Sequence, residues 1–181
     1  PFTYKTLDDL RAASDKLGLQ IPISEDLSVL GEKTALGASG VTLDNRLIVH
    51  PMEGFDTTED GAPDTLTMRR YERFAKSGAG LIWEEATAIV EEGRANPRQL
   101  WIYKENLDAF KAHVERIKET ALKENGQEPL VIMQATHSGR YSKPHGVPAP
   151  IIAYNNPIFE KDNPLPAECI ATDDYIDRVQ E

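Results

Sequence analysis

Between residues 45 and 134, three short apolar runs alternate with two amphipathic stretches, and this order constrains the fold more than any other feature. Residues 45–50 form the first run, which stops at Pro51 because proline has no N–H to continue a ladder. Residues 65–76 then carry Met68, Tyr71, Phe74 and Ala75 on one side and end before Gly78, the pattern of a helix. Residues 79–83 form the second run, which leads into Glu84-Glu85-Ala86-Thr87. Residues 105–123 place Leu107, Phe110, Val114, Ile117 and Ala121 on one helical stripe that Gly126 closes. Residues 130–134 form the third run, entered through Pro129 and left through Gln134. Strand, helix, strand, helix, strand is two βαβ units in succession, which predicts an α/β fold with parallel strands and right-handed crossovers.

The flanks read differently. Thr6 is placed to cap a helix whose first turn holds Asp8 and Asp9 and whose end is Gly18. Glycines 31, 37 and 40 and Asp44-Asn45 punctuate residues 29–45, which predicts a hairpin. Residues 138–171 hold six of the twelve prolines and carry no period, the mark of a long functional loop. Thr172-Asp173-Asp174 then starts a short helix with Tyr175, Ile176 and Val179 as its apolar face. In a βα series such a helix returns the chain to a fourth strand. The chain therefore reads as the amino-terminal portion of a larger protein, with a sheet edge that invites association into an oligomer, the alternative being a self-contained small α/β domain.

Composition narrows the partners. A net charge of −10, from 20 basic and 30 acidic residues, argues against a nucleic-acid backbone as ligand. No apolar run approaches membrane-spanning length and no basic-then-apolar leader is visible, so no membrane partner is expected. Cys169 is the only cysteine, which excludes an intrachain disulfide and fits a reducing, cytoplasmic location. The histidines at 50, 113, 137 and 145 are scattered, and no cysteine–histidine set has zinc spacing.

With parallel strands, three strand ends share one rim, where α/β folds place their chemistry. The turn Pro51-Met52-Glu53-Gly54-Phe55 brings backbone groups toward a flat ligand. Glu84 and Glu85 offer carboxylates, and Gln134 offers a donor and an acceptor suited to the edge of a heterocycle. No phosphate-cradling glycine motif occurs. Structural readings stand beside these. Glu84 and Glu85 are adjacent, so on a strand they face opposite sides, and one of them meets Arg94 or Arg98. His137 reads first as a hydrogen-bonded loop histidine, Arg140 as a clamp tying the long loop to the rim, and Trp83 and Trp101 as packing residues.

Three segments together resemble the Old Yellow Enzyme family of FMN-dependent NADH:flavin oxidoreductases and 2,4-dienoyl-CoA reductase-like enzymes. They are Asn45-Arg46 through Pro51-Met52, Gly80-Leu81-Ile82 through Glu85-Ala86-Thr87, and Gln134 through His137 to Gly139-Arg140. The match runs from about residue 40 onward, so residues 1–40 read as a helix-and-hairpin extension and residues 41–181 as the first part of a flavin-binding barrel. The resemblance implies about the first three strands of a (β/α)8 TIM barrel, a fold that needs roughly 250 residues.

It further implies FMN on the rim, touched by Pro51, Met52 and Glu53 near its reactive edge, by the backbone of Ala86, and by Gln134 at its pyrimidine end. Phe55 would stand beside the small-molecule substrate, and His137 and Arg140 would be scaffold. The implied activity is ene-reduction, with hydride passing from NADH or NADPH through the flavin to an activated C=C bond, and the chain by itself inactive. The catalytic residues would lie beyond residue 181. Glu53 departs from the family, which more often has a small hydroxyl or thiol residue there, and its carboxylate should lower the flavin potential. Two other readings stay open: a barrel hydrolase using Glu84 or Glu85, and a non-catalytic half-barrel that assembles with another chain.

Overall fold

The computed structural model describes residues 3–180. It begins with α1 (Leu7–Lys16), capped as expected: the Thr6 hydroxyl accepts the Asp9 N–H and the Asp9 carboxylate accepts the Thr6 N–H. A two-stranded antiparallel hairpin follows, β1 (Thr34–Ala35) with β2 (Thr42–Leu43). Next come β3 (Ile48–Val49), α2 (Thr65–Ala75), β4 (Leu81–Ala88), α3 (Leu107–Asn125) and β5 (Leu130–Thr136). The chain closes with the long loop and α4 (Asp173–Gln180).

The strands β3, β4 and β5 form one parallel sheet in that order, as two successive βαβ units require. Ile82 of β4 is fully buried between Tyr71 and Ala75 of α2 and Ile117 and Ala121 of α3, with Val49, Phe74 and Val131 packed around this cluster. Both crossover helices therefore cover one face of the sheet. Residues paired across parallel strands share a face, so the pairs Trp83–Ile132 and Ala86–Gln134 lie on the other side.

Four expectations need correction. The first strand is two residues long, not six. The Asn45 side chain accepts the N–H groups of Leu47 and Gly80 and donates to the Gly78 carbonyl, so an asparagine turn replaces the start of the ladder. The second and third strands run further, to Ala88 and Thr136, which puts Gln134 inside β5 rather than at its end. The predicted helix over residues 105–123 begins as a 3-10 turn at Lys104–Asn106 and continues to Asn125. Trp83 is not core: it is 40% exposed on the open sheet face.

Candidate functional site

The carboxyl-terminal parts of three adjacent parallel strands make one rim: Ala86 and Gln134 are each third from the end of β4 and β5, and Pro51, Met52, Glu53 and Phe55 lie in the turn that follows β3. Ala86 and Gln134 are register partners on β4 and β5. Both are half-buried, and the Gln134 amide makes no hydrogen bond to any described residue. Gln134 is thus less buried than a strand-end amide was expected to be. Met52 stands three residues past β3 and is 69% exposed. Phe55 is also exposed, and it is the one described non-glycine residue with positive φ, at +50°. That conformation is strained for an aromatic side chain and persists only where the surroundings hold it.

What holds it is a cluster of buried charge beneath residues 52–56. The Gly54 N–H donates to Glu85 Oε2 at 2.8 Å, and Arg70 Nη2 donates to Glu85 Oε1 at 2.6 Å. The same guanidinium reaches Asp56 Oδ1 at 2.9 Å and the Met52 carbonyl at 3.3 Å. The hydroxyl of Tyr71, next along α2, accepts the Glu85 N–H at 2.7 Å. Burial works against ionisation of both Asp56 and Arg70, yet their mutual hydrogen bonds outweigh it, so the Asp56 carboxyl is held below its ordinary range and Arg70 above its own. Glu53 has no such partner. Its half-buried position, and secondly the charge of Glu85, push its pKa up.

The two glutamates thus differ from expectation in partner and direction. Neither meets Arg94 or Arg98. Two residues, Glu84 and Glu85, oppose one on β5 across a bulge. The bulge breaks the strand alternation, and both carboxylates reach the helix layer: Glu85 to Arg70 of α2, and Glu84 to His113 of α3 at 3.0 Å. Arg94 instead donates to the carbonyls of Glu59, Pro97 and Gln99, and Arg98 lies 3.7 Å from Asp64.

Sequence reasoning missed Gln99. It is 1% exposed and donates to the Ala86 carbonyl at 3.0 Å and to Thr136 Oγ1 at 3.4 Å, bridging the ends of β4 and β5. It lies in a polar stretch without period, so nothing local marks it.

His137 is a hydrogen-bonded loop histidine. Its Nδ1 accepts the Gly139 N–H at 2.9 Å, which leaves Nε2 carrying the proton against the Tyr175 hydroxyl at 2.7 Å. Burial lowers its pKa, partly opposed by Glu92. A base whose folded pKa is depressed stabilises the fold above the unfolded value and loses that contribution as pH falls. In an NMR titration the His137 midpoint is expected below 6.5, and Tyr175→Ala, which opens the ring to water, should raise it. A wild-type midpoint at or above 6.5 would contradict this assignment.

Arg140 clamps the long loop to itself and not to the rim, through Glu160 at 2.7 Å. Trp101 stacks on Tyr103 with centroids 4.2 Å apart, a packing role as expected. Among the described residues no group of three His, Cys, Asp or Glu could hold a metal ion, and no helix is long and apolar enough to cross a membrane.

Comparison with known proteins agrees with this architecture. Residues 35–177 match the sequence model of the NADH:flavin oxidoreductase / NADH oxidase family. A curated relative, NADPH dehydrogenase of Geobacillus sp. (strain WCH70), is 33% identical over 137 residues, covering 74% of this chain and 37% of the relative. The Old Yellow Enzyme homologue from Zymomonas mobilis superposes with a TM-score of 0.56 at 25% identity, covering 70% of this chain and 33% of that one. Morphinone reductase in complex with tetrahydroNAD superposes with a TM-score of 0.53 at 27% identity, over the same shares. The chain spans little more than a third of the length of the curated relatives it matches. Its fold is the amino-terminal part of their α/β barrel, and the described strands do not close a barrel.

Proposed function

Because the chain belongs to the NADH:flavin oxidoreductase / NADH oxidase family, we propose that it supplies the first three strands of an FMN-binding barrel in an ene-reductase-type oxidoreductase. Bound FMN would carry hydride from NADH or NADPH to an activated C=C bond of a small molecule. The observation that carries this reading is the pairing of Ala86 with Gln134 on neighbouring parallel strands, with an unpartnered amide, beside the exposed turn at Met52. A small side chain, a polar amide and a turned backbone on one rim suit the edge of a planar heterocycle.

In this reading Pro51, Met52 and Glu53 line the reactive edge, Ala86 contributes backbone, and Gln134 binds the pyrimidine end. Phe55 stands on the substrate side, and His137 and Arg140 are scaffold. Residues 1–40 are an extension to the barrel portion at 41–181, and the location is cytoplasmic. The names of the relatives, NADPH dehydrogenase and a reductase held with tetrahydroNAD, support a nicotinamide reductant. The 181-residue chain by itself, whose described residues hold three of the barrel strands, is expected to show no turnover and no stoichiometric FMN. Glu85 is held by Arg70 and Glu84 is buried toward His113 of α3, so the two carboxylates do not form an acid–base pair on the rim that a hydrolase would need.

Gln134→Leu tests the placement. In the full-length protein it removes the hydrogen bonds of the amide while keeping similar volume, so FMN should bind roughly fivefold to tenfold more weakly in a fluorescence titration. Unchanged affinity would remove Gln134 from the site.

A further inference from the structure

Gly54 has no side chain, and the space a side chain would occupy is taken by Arg70. A Cβ built on Gly54 would lie 2.1 Å from Arg70 Nη2. The guanidinium enters that space from α2, one turn and a half beyond the Asp64 N-cap, with 22% of its side chain exposed. From there its fork of donors serves three acceptors at once: the Met52 carbonyl, the Asp56 carboxylate and the Glu85 carboxylate. Glu85 closes the ring by accepting the Gly54 N–H with its other oxygen. The turn over residues 52–56 is therefore pinned at its start and at its end by Arg70 and at its middle by Glu85.

We propose that Arg70 is the positioning residue of this rim: it sets the shape of the turn that presents Met52, Glu53 and Phe55, and it neutralises Glu85 beneath them. The proposal rests on the flavin reading of that rim. The geometry separates this role from general packing. Arg70 lies over the ring of Tyr71, at 5.0 Å, but all of its hydrogen-bond acceptors lie in the turn or on the single β4 carboxylate that holds the turn. The neutralisation is local as well. With Glu85 and Asp56 paired to Arg70, Glu53 is the carboxylate left without a cation at the turn. A planar fork is required because a lysine ammonium, a single point of charge, cannot reach acceptors spread over three residues.

The test compares wild type, Arg70→Lys and Arg70→Met in the full-length protein with two readouts. Amide hydrogen exchange reads the turn directly, and titration with FMN, with the absorption spectrum of the bound flavin, reads the site. In Arg70→Lys the Gly54 amide should exchange about tenfold faster while Ile82 and Val131 keep wild-type protection, and FMN should bind about tenfold more weakly, each tenfold being one charge-assisted hydrogen bond lost. Arg70→Met should show the same turn effect or a larger one. An unchanged Gly54 amide overturns the proposal. So does loosening of the sheet and the turn together in Arg70→Lys, which would make Arg70 a general support. Faster exchange at Gly54 with wild-type FMN affinity and spectrum also overturns it, because the turn would then not serve the site. A wild-type protein that takes up no FMN overturns the flavin reading and with it the role at this site, whatever the exchange shows, so the two failures are told apart.

Discussion

Replacing Glu85 with alanine is expected to destabilise the protein by about 3 kcal/mol, the low end of the cost of breaking a buried charge pair by removing one partner. Three losses combine at this one side chain. Arg70 loses its shortest ionic contact, at 2.6 Å, and stays in place, only one-fifth exposed. The Gly54 N–H, which donates to Glu85 at 2.8 Å, is left without its acceptor. The buried volume under the turn is emptied, since the Glu85 side chain is 1% exposed. The figure is at the low end because Asp56 still faces Arg70 at 2.9 Å. Urea unfolding of the full-length protein measures it. Glu85→Gln, which keeps the volume and an acceptor for Gly54, should lose clearly less. A loss below about 1 kcal/mol for the alanine variant would mean that the charge cluster does not hold the turn.

Replacing Glu53 with threonine should raise the reduction potential of bound FMN. Reduction adds negative charge to the ring, and a nearby carboxylate opposes it. An interaction of about 1–3 kcal/mol across a partly buried site corresponds to about 20–60 mV for a two-electron couple. Glu53 is the right group to test because Asp56 and Glu85 are both paired to Arg70 and Glu53 is not. The pH dependence fixes the sign independently. Burial and the Glu85 charge raise the Glu53 pKa, so Glu53 takes up its proton at a higher pH than an ordinary glutamate. The difference between wild type and variant should therefore shrink as pH is lowered through that raised value. The same protonation favours the folded state, because an acid with a raised folded pKa binds more protons folded than unfolded. A potential in the variant that stays put or falls would rule the effect out.

The architecture was legible in the sequence where local rules repeat. Phe110, Ile117 and Ala121 of the predicted stripe are buried on α3, while Leu107 at its start is exposed and the buried His113 lies off it; Thr6, with Asp8 and Asp9 behind it, marked the start of α1. Three apolar runs separated by two helices named a parallel sheet and hence a shared rim, on which Ala86 and Gln134 are register partners and Met52 follows β3. Interactions that bind distant segments through polar side chains were not legible. Nothing in the periodicity of α2 singles out Arg70; its partners lie 14, 15 and 18 residues away with no pattern linking them. The bulge at Glu84-Glu85 broke the period of two on which the opposite-face argument stood. Gln99 joins two strand ends from a loop with no repeat at all. Where polar groups satisfy each other across the fold, only the folded geometry names the partner.

This rim is proposed to hold a flavin ring. The visible absorption spectrum of the full-length protein as purified tests it most directly, followed by release and identification of the pigment after denaturation. A flavin band, with FMN recovered in stoichiometric amount, is the predicted result. A folded protein that is colourless, and that stays so after incubation with FMN, would contradict it.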